Sequence, residues 1–466
     1  MSHEDHHEHN HEHCCDHSRG CSCHHDSDHD IDPDDMADIA AALVRRIEKN
    51  QRLFEQGDCS HAEELADDCL TMAVSSQDEG DIAGSTDWFH RAIEVLEKRI
   101  DQGQTDDLIH RLGLAHLGFA VMLNDEGNSN EALEEYQKAV SVLTPLADAG
   151  KQDVALDLAG VELNIASILY ALGPDEWSWG GRTLSDRVAA TLARFEALDG
   201  TEARFYRAKT LMLQAAILEE RFPADSLAAS NEAANIFRAL VHDGKEEYKS
   251  DLAESLAILA ERAKEFFPDD KARLTEVLTA ARDATKLFHE FAESGNILSV
   301  LDEVDALLIE AYLLEAVDRS EDALDRYEKI LDEVRPYGNE SVDILTRSAE
   351  CYSNRAKLER TLERYDEARG DWGVAIELYQ IILEQPFDQN DEEQADFISG
   401  TRLSQMLDRI QHAEVSLCLG DNASAAEDCH LAEQALNLLS EYLGDDYAAY
   451  RKIFDDAVRG LGQKDN

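Results

Sequence analysis

The sequence predicts an all-α fold, built as a right-handed solenoid of about eight antiparallel helix pairs. Glycine and proline, which interrupt helices, contribute only 24 and 7 of the 466 residues. A chain of this length exceeds one ordinary core, which favours several domains or a repeat array. Small residues recur at intervals of roughly 47 residues, a spacing typical of helical repeats. A segment that begins at Gly150, GKQDVALDLAG, also recurs at Gly244 as GKEEYKSDLAE.

The segment Gly150–Leu172 is the clearest single helix in the sequence. A glycine and a polar first turn precede its apolar residues, which are spaced by three and four positions. A helix that buries one face requires this spacing. The predicted buried face comprises Val154, Leu158, Val161, Ile165, Ala166 and Leu169.

The first 31 residues form a separate region of the chain. They are rich in His, Asp, Glu and Cys and show no apolar periodicity, so they lack the apolar surface that folding requires. We expect a disordered tail over residues 1–31, unless metal orders it, and a helical array over residues 32–466. Terminal helices are expected to cap the array, one after Asp32 and one near residues 446–459.

Local signals place the first two helices. Asp32 as an N-cap followed by Pro33 predicts a helix start, and Gly57 predicts its end. Ser60 and Glu63 have the spacing of a capping box, so the next helix is predicted to begin at Ser60.

The later helix pairs carry small residues at fixed places. In three second helices, an alanine is followed by an aromatic residue and then by another small or apolar residue. Small residues allow two helices to approach closely, and the aromatic ring fills the space beside the next pair. These series are Ala132-Tyr136-Ala139 before Pro145, Ala323-Tyr327-Ile330 before Pro336, and Ala368-Trp372-Ala375 before Pro386. The small residues late in the first helices are Ala73, Ala120, Ala166, Ala216, Ala260, Ala311, Ala356 and Ala413.

This pattern resembles the tetratricopeptide repeat, which combines a small residue late in the first helix, the alanine–aromatic–alanine series and a closing proline. The resemblance covers nearly everything after residue 60, and such repeats serve many partners. The family's usual period is 34 residues, so the longer period here implies an extended first helix. Gly173–Gly181 interrupts one turn, and the second helix after Ala260 has a weak pattern. Within the interruption, Trp177 and Trp179 are either a hydrophobic plug or an exposed anchor.

The chain is strongly acidic, with a formal net charge of -56. This charge repels nucleic-acid phosphates and anionic lipids, so we expect neither a nucleic acid nor a membrane as partner. No apolar run reaches the roughly 18 residues of a membrane span, and the N-terminus lacks the features of a signal peptide, which predicts a cytoplasmic protein. The acidity has two explanations: a solvated surface suited to salt, or the binding of a basic partner or of cations.

The tail has the composition of a metal-binding segment. Imidazole suits Zn, Ni and Cu ions, and thiolates prefer Cu(I) and Zn, so we predict that the tail binds ions of this group. The spacing favours several interchangeable sites over one zinc finger. Acidic residues and cysteines distinguish the segment from a purification tag, and incidental metal contact is the competing interpretation. The predicted ligands are His3, His6, His7, His9, His11, His13, Cys14, Cys15, His17, Cys21, Cys23, His24, His25 and His29.

The first helices of a repeat array line its inner face, so residues beside each packing alanine on that face are candidate partner contacts. Lys357 and Arg360 together are suited to hold a carboxylate of the partner, or else they neutralise Glu359 and Glu363. The predicted partner-binding residues are Leu117, Val121, Asn124, Tyr170, Tyr312, Lys357 and Arg360.

The sequence lacks a glycine-rich phosphate loop, a His-Glu-x-x-His pair and a nucleophile elbow. The eight histidines outside the tail are dispersed and are interpreted as packing or surface residues. We therefore expect no enzyme and no organic cofactor. The first functional hypothesis is a repeat scaffold that binds a protein and carries a metal-binding tail. The alternative is a metal-handling protein, whose tail captures Zn, Ni or Cu while the array docks the recipient.

Overall fold

A computed structural model describes residues 33–174, 177–292, 296–338, 341–387 and 391–464. The predicted tail, with all of its proposed metal ligands, lies outside the described residues. Contacts within the chain divide it into two units, the first ending at Ile236 and the second beginning at Phe237.

The first unit contains α-helices and one short hairpin. Strands β1 (Ser178–Trp179) and β2 (Arg182–Thr183) pair antiparallel, with Trp179 opposite Arg182. The helices are α1 (Pro33–Glu55), α2 (Ala62–Asp78), α3 (Ile82–Gln102), α4 (Asp106–Asp125), α5 (Ser129–Asp148), α6 (Gln152–Ala171), α7 (Leu184–Glu196), α8 (Thr201–Leu218) and α9 (Pro223–His242), and the division between the units falls inside α9.

The second unit is helical throughout its described residues. Three single-turn 3-10 helices cover Glu246–Tyr248, Arg335–Tyr337 and Gly444–Asp446. The α-helices are α10 (Lys249–Phe266), α11 (Lys271–Ala292), α12 (Ile297–Ala316), α13 (Ser320–Val334), α14 (Val342–Thr361), α15 (Tyr365–Leu383), α16 (Glu392–Cys418), α17 (Asn422–Leu438), α18 (Ser440–Leu443) and α19 (Tyr447–Lys464).

The described helices form eight pairs, from α2/α3 to α16/α17. In seven of these pairs the two helices pack against each other, and in the pair α8/α9 the Ser226 hydroxyl bonds to α8. First helices of successive pairs also touch, as α4 does with α6 and α12 with α14. Helix α1 packs on α2, and α19 packs on α16 and α17. The predicted all-α array of about eight helix pairs, with a helix at each end, is confirmed.

The packing positions are those that the periodicity indicates. All six residues of the predicted α6 face are buried. The small residues late in the first helices are buried too, except in α8, where Ala215 is buried and Ala216 is only half-buried. The choice of Ala216 was wrong because adjacent helix residues point about 100° apart and an Ala-Ala pair leaves the facing residue open. The Ser226 hydroxyl donates to the Ala215 carbonyl oxygen at 2.7 Å, so α9 packs on that side of α8.

The predicted capping box is wrong. Helix α2 begins at Ala62, and no side chain caps its first turn. The Ser60 amide instead donates to Asp58 Oδ1 at 3.0 Å. This bond holds Ser60 in a turn before the helix, because short acidic side chains compete with helical bonding in this way.

Two other helix boundaries differ from the prediction. Pro145 lies inside α5, which continues to Asp148. A proline removes one backbone hydrogen bond, and only about one turn of helix follows it here. The helix after Ala260, expected to be weak, is α11 with 22 residues. It buries Leu274, Val277 and further aliphatic side chains where other second helices use an aromatic ring.

The glycine-rich segment after α6 supports the plug interpretation of its tryptophans. Gly180 and Gly181 have φ angles of 59° and 76°, as a tight hairpin turn requires. Trp177 and Trp179 are partly buried and pack against the core of the first unit.

Among the described residues, α6 is the one helix that is long and apolar enough to cross a membrane. Its apolar side chains lie in the core of the first unit, so burial between neighbouring helices explains its composition.

Candidate partner-binding site

Charged and polar side chains converge on the first helices of the second unit. Helix α12 contacts α14, and side chains of α14 bond to α16. All three are first helices of their pairs, and the sequence analysis predicts that first helices line the partner-binding face. We define the polar face by eight residues of the three helices: Asp305, Tyr312, Arg347, Glu350, Ser353, Lys357, Arg360 and Asp408.

Helix α14 presents most of the polar face. Its first turn is capped by the Ser341 hydroxyl, which accepts from the Ile344 amide at 3.2 Å. Arg347, Glu350 and Lys357 follow at intervals of three and seven residues, so they project from the same side of the helix. Apolar residues such as Leu345 and Ala349 pack into the core, which fixes the orientation of the polar side.

Two contacts join the polar face across helices. Arg347 donates to both carboxylate oxygens of Asp305, at 2.5 and 3.0 Å, which links α14 to α12. The Lys264 ammonium of α10 lies 5.5 Å from the centre of the Tyr312 ring, within the range of a cation–π contact. Tyr312 is 37% exposed, so one side of this aromatic ring remains open to a partner.

Glu350 lies at the electrostatic centre of the face. Burial raises the pKa of its carboxyl above the ordinary value, Arg347 lowers this pKa, and Asp305 raises it. Lys264 and Lys357 lower it as well. Cations from two helices therefore act on one half-buried carboxyl.

Asp408 is the most deeply buried acid of the face, at 3% exposed. The Ser353 hydroxyl donates to its Oδ1 at 2.8 Å, while Oδ2 has no hydrogen-bond partner within the described part of the chain. Burial raises the pKa of Asp408 to about 6, against a smaller lowering by Ser353 and Lys357. Because that oxygen is itself buried, the missing hydrogen bond adds to the cost of ionising Asp408.

Lys357 and Arg360 behave differently from each other. Lys357 is exposed and donates to Asn354 Oδ1 at 3.1 Å, and among the described residues it has no carboxylate within ion-pair distance. Arg360 bonds to Gln411 and pairs with Glu414 of α16 at 3.0 Å. The hypothesis that the two cations neutralise Glu359 and Glu363 is therefore wrong for Arg360, because α16 offers closer acceptors.

Glu359 lies away from the polar face and is 8% exposed. Burial is the main cause that raises its pKa to about 7, followed by the nearby Asp371 carboxylate. Arg355, which binds Asp371 at 2.5 and 2.8 Å, lowers this pKa only in part.

The predicted contacts in the first unit lie at the edge of its core. Leu117, Val121 and Tyr170 are partly buried and pack against the core cluster, and Asn124 is half-buried. The Tyr170 ring stacks on Trp177, with ring centres 6.0 Å apart. Internal packing thus occupies part of the surface that the sequence assigned to a partner here.

Sequence reasoning missed Asp305, Arg347, Glu350 and Asp408. A signal for two of them was present, since Arg347 and Glu350 share the helical spacing of Lys357. Asp305 and Asp408 carry no such signal, because their proximity to α14 depends on how separate pairs stack.

A shallow pocket of about 400 Å³ in the first unit is a weaker candidate. Three of its lining residues already pair with each other: His116 bonds to Glu135 Oε2 at 2.7 Å, and Lys138 donates to Glu135 Oε1 at 2.6 Å. Similar pairs hold His110 to Asp157 and His412 to Asp428, each at 2.6 Å. These contacts agree with the interpretation of the dispersed histidines as packing residues.

The fold defines a helical-repeat protein, and the comparison with known families names the repeat. Residues 348–389, which cover most of α14 and all of α15, match the tetratricopeptide repeat. The resemblance carried by Ala356, Ala368, Trp372 and Pro386 is thereby confirmed. The side chains of Ala356, Ala368 and Trp372 are all buried.

Similar solved structures are remote in sequence. The nuclear import adaptor Nro1 of S. pombe is 12% identical with a TM-score of 0.42, over 64% of this chain and 99% of that chain. A tetratricopeptide repeat protein of Parabacteroides merdae is 13% identical with a TM-score of 0.29, over 72% and 98%. The TPR2AB domain of yeast Sti1, in a complex with pHSP90, is 14% identical with a TM-score of 0.24, over 86% and 99%. No curated protein matches the chain.

Proposed function

We propose that the chain is a non-enzymatic scaffold that binds a protein partner through the polar face. The observation that carries this proposal is Lys357, an exposed cation with no ion-pair partner among the described residues, in a chain with a net charge of -56. Lys357 belongs to α14, whose neighbours α12 and α16 are also first helices, so a partner segment that crosses the three helices would pass this ammonium group.

The chemistry of the face favours a peptide segment of mixed polarity. Neighbouring helices are spaced by roughly 10 Å, so three first helices span about six residues of extended chain. Lys357 suits a carboxylate of the partner. Tyr312 adds an apolar contact beside these charges.

The test is a charge reversal at Lys357. Full-length wild type, Lys357→Glu and the control Lys286→Glu would be used to capture partners from extracts of the native cell, with quantification by mass spectrometry. Lys286 is an exposed residue of α11, a second helix, and so matches Lys357 in charge and exposure. We expect the control to retain a partner that Lys357→Glu loses. Equal recovery by all three proteins would contradict a role for the polar face.

For the tail we propose binding of Zn, Ni or Cu ions in the cytoplasm, supported by the ten histidines and four cysteines within its first 30 residues. On this basis a metal-handling protein, whose array docks the recipient of the metal, is the second candidate function. Partner capture with and without added Zn distinguishes the two candidates. A scaffold binds its partner equally in both conditions, whereas a metal-handling protein requires the loaded tail.

A further inference from the structure

We propose that His289, Glu303 and Glu333 bind one divalent transition-metal ion, at a site in the helical array that is separate from the tail. The three residues come from three helices, α11, α12 and α13. One potential ligand atom of each lies within 4.8 Å of those of the other two. His289 Nδ1 lies 3.0 and 3.1 Å from the two Glu303 oxygens.

A second group of residues on the same three helices shows how another buried glutamate is neutralised. The arginine layer consists of Arg282, Glu310 and Arg326. Glu310 is 2% exposed, and both guanidinium groups reach its Oε1, at 3.2 and 3.0 Å. A buried carboxylate is thus neutralised by one cation from α11 and one from α13, as burial of a charge demands.

Each residue of the proposed site lies two helical turns from a residue of the arginine layer on the same helix. His289 follows Arg282 by seven residues in α11, and Glu333 follows Arg326 by seven in α13. Glu303 precedes Glu310 by seven in α12, which runs in the opposite direction. We call this second set the histidine layer. Both arginines are replaced there by residue types that bind metal ions.

The replacement changes the charge balance around a fully buried carboxylate. Glu303 is 0% exposed, and Lys329 donates to its Oε1 at 2.6 Å. With His289 neutral, two carboxylates and Lys329 sum to -1, whereas two arginines and Glu310 sum to +1. A divalent cation would bring the histidine layer to the same +1. Lys329 occupies Oε1 of Glu303, and a metal would replace the hydrogen bond between His289 Nδ1 and Oε2.

The donor set indicates the class of ion. One imidazole nitrogen with two carboxylates suits Zn²⁺ and related divalent transition metals, and three protein ligands leave a position for water. Ca²⁺ and Mg²⁺ prefer sets made of oxygen alone. Since each ligand belongs to a different helix, the bound ion would join α11, α12 and α13 and stabilise the folded state.

The experiment follows the thermal unfolding of the full-length chain while Zn²⁺ is added. Glu333→Gln removes one ligand, and Glu328→Gln is the matched control, an exposed glutamate of the same helix. We expect saturating Zn²⁺ to raise the melting temperature of wild type and control by roughly 5 °C. We expect Glu333→Gln to lose most of this rise. The tail is identical in all variants, so metal bound there does not produce the difference.

Two further variants separate a metal site from an ion-pair network. Lys329→Met removes the competing ammonium, so half of the thermal rise should occur at a Zn²⁺ concentration at least about tenfold lower. His289→Asn, at an exposed position, should lose the rise as Glu333→Gln does, even if the latter folds poorly. An equal rise in wild type, Glu333→Gln and His289→Asn, or no rise in wild type, would overturn the proposal.

Discussion

Glu162 in the first unit and Asp408 in the second are both buried carboxyls on first helices, yet their surroundings differ. Glu162 is 5% exposed and accepts from Arg182 at 3.0 Å and from Arg187 at 2.8 Å. Asp408, at 3% exposed, accepts only from the Ser353 hydroxyl and has one oxygen without a partner within the described residues. Both carboxylates are costly to bury, but Glu162 is bonded to two cations, whereas Asp408 has no cation within ion-pair distance among the described residues and is affected by Lys357 only at longer range.

The hairpin between α6 and α7 explains why Glu162 has bonded cations. It supplies Arg182 directly, and Trp179 covers the Arg187 guanidinium at 5.2 Å while its carbonyl oxygen accepts from Nη2 at 3.0 Å. Asp408 has no inserted segment of this kind. Glu162 is therefore a stabilising element of its unit, whereas Asp408 keeps an unsatisfied oxygen that is itself buried.

The largest effect is expected when Glu162 loses one of its two bonded cations. Arg187→Gln leaves Glu162 buried with only the more exposed Arg182, so the free energy of unfolding should fall by about 3 kcal/mol. Urea denaturation followed by circular dichroism measures this change. Arg194→Gln, in the same helix, should cost under about 0.5 kcal/mol. Similar losses in both variants would show that Glu162 does not depend on its buried partner.

A smaller effect, of opposite sign, is expected at Asp408, the buried carboxyl that has no bonded cation among the described residues. The folded pKa of Asp408, about 6, exceeds the ordinary value of 3.8, so the folded chain binds the proton more tightly than the unfolded chain. The stability associated with protonated Asp408 is therefore present below about pH 4 and is lost as the pH rises through 6. Asp408→Asn imitates the protonated form at every pH. It should match wild type near pH 4 and be more stable by about 2 kcal/mol at pH 7.5.

Urea denaturation of wild type and Asp408→Asn between pH 4 and 7.5 tests this difference. Glu359, whose pKa is about 7, contributes a pH dependence of its own, but it is common to both proteins. The difference between the proteins thus isolates Asp408. A difference that stays constant with pH would contradict the assignment of a raised pKa to this residue.

The smallest effect is expected from removing the tail, since neither carboxyl depends on it. Deletion of residues 1–31 should leave the melting temperature of the array unchanged and should remove most of the bound Zn or Ni, as measured by calorimetric titration. Binding by the tail should weaken from pH 7.5 to about 5.5, because protons compete for imidazole and thiolate. A large fall in melting temperature would instead make the tail structural, and equal metal binding with and without it would place the sites in the array.

Burial at periodic positions could be predicted from the sequence because the spacing of residues within one helix determines which of them share a face. Ala132, Tyr136 and Ala139 are all buried as their spacing indicates, and Lys357 projects from α14 as expected. Ser60 could not be placed, since Asp58 competes for its amide across two residues. The choice between Ala215 and Ala216 depended on α9, which lies outside the helix that carries them.

The all-α class, the number of helix pairs, the buried face of α6 and most packing alanines followed from the sequence, because helical spacing and small-residue packing are local properties. Which charged side chains meet depends on the tertiary structure. Arg347 bonds to Asp305, 42 residues away in sequence, and Ser353 bonds to Asp408, 55 residues away. His289 and Glu333 are likewise brought to Glu303 by the stacking of three helices. Contacts between helices depend on their relative register, and that register results from the packing of whole faces rather than from any short stretch of sequence.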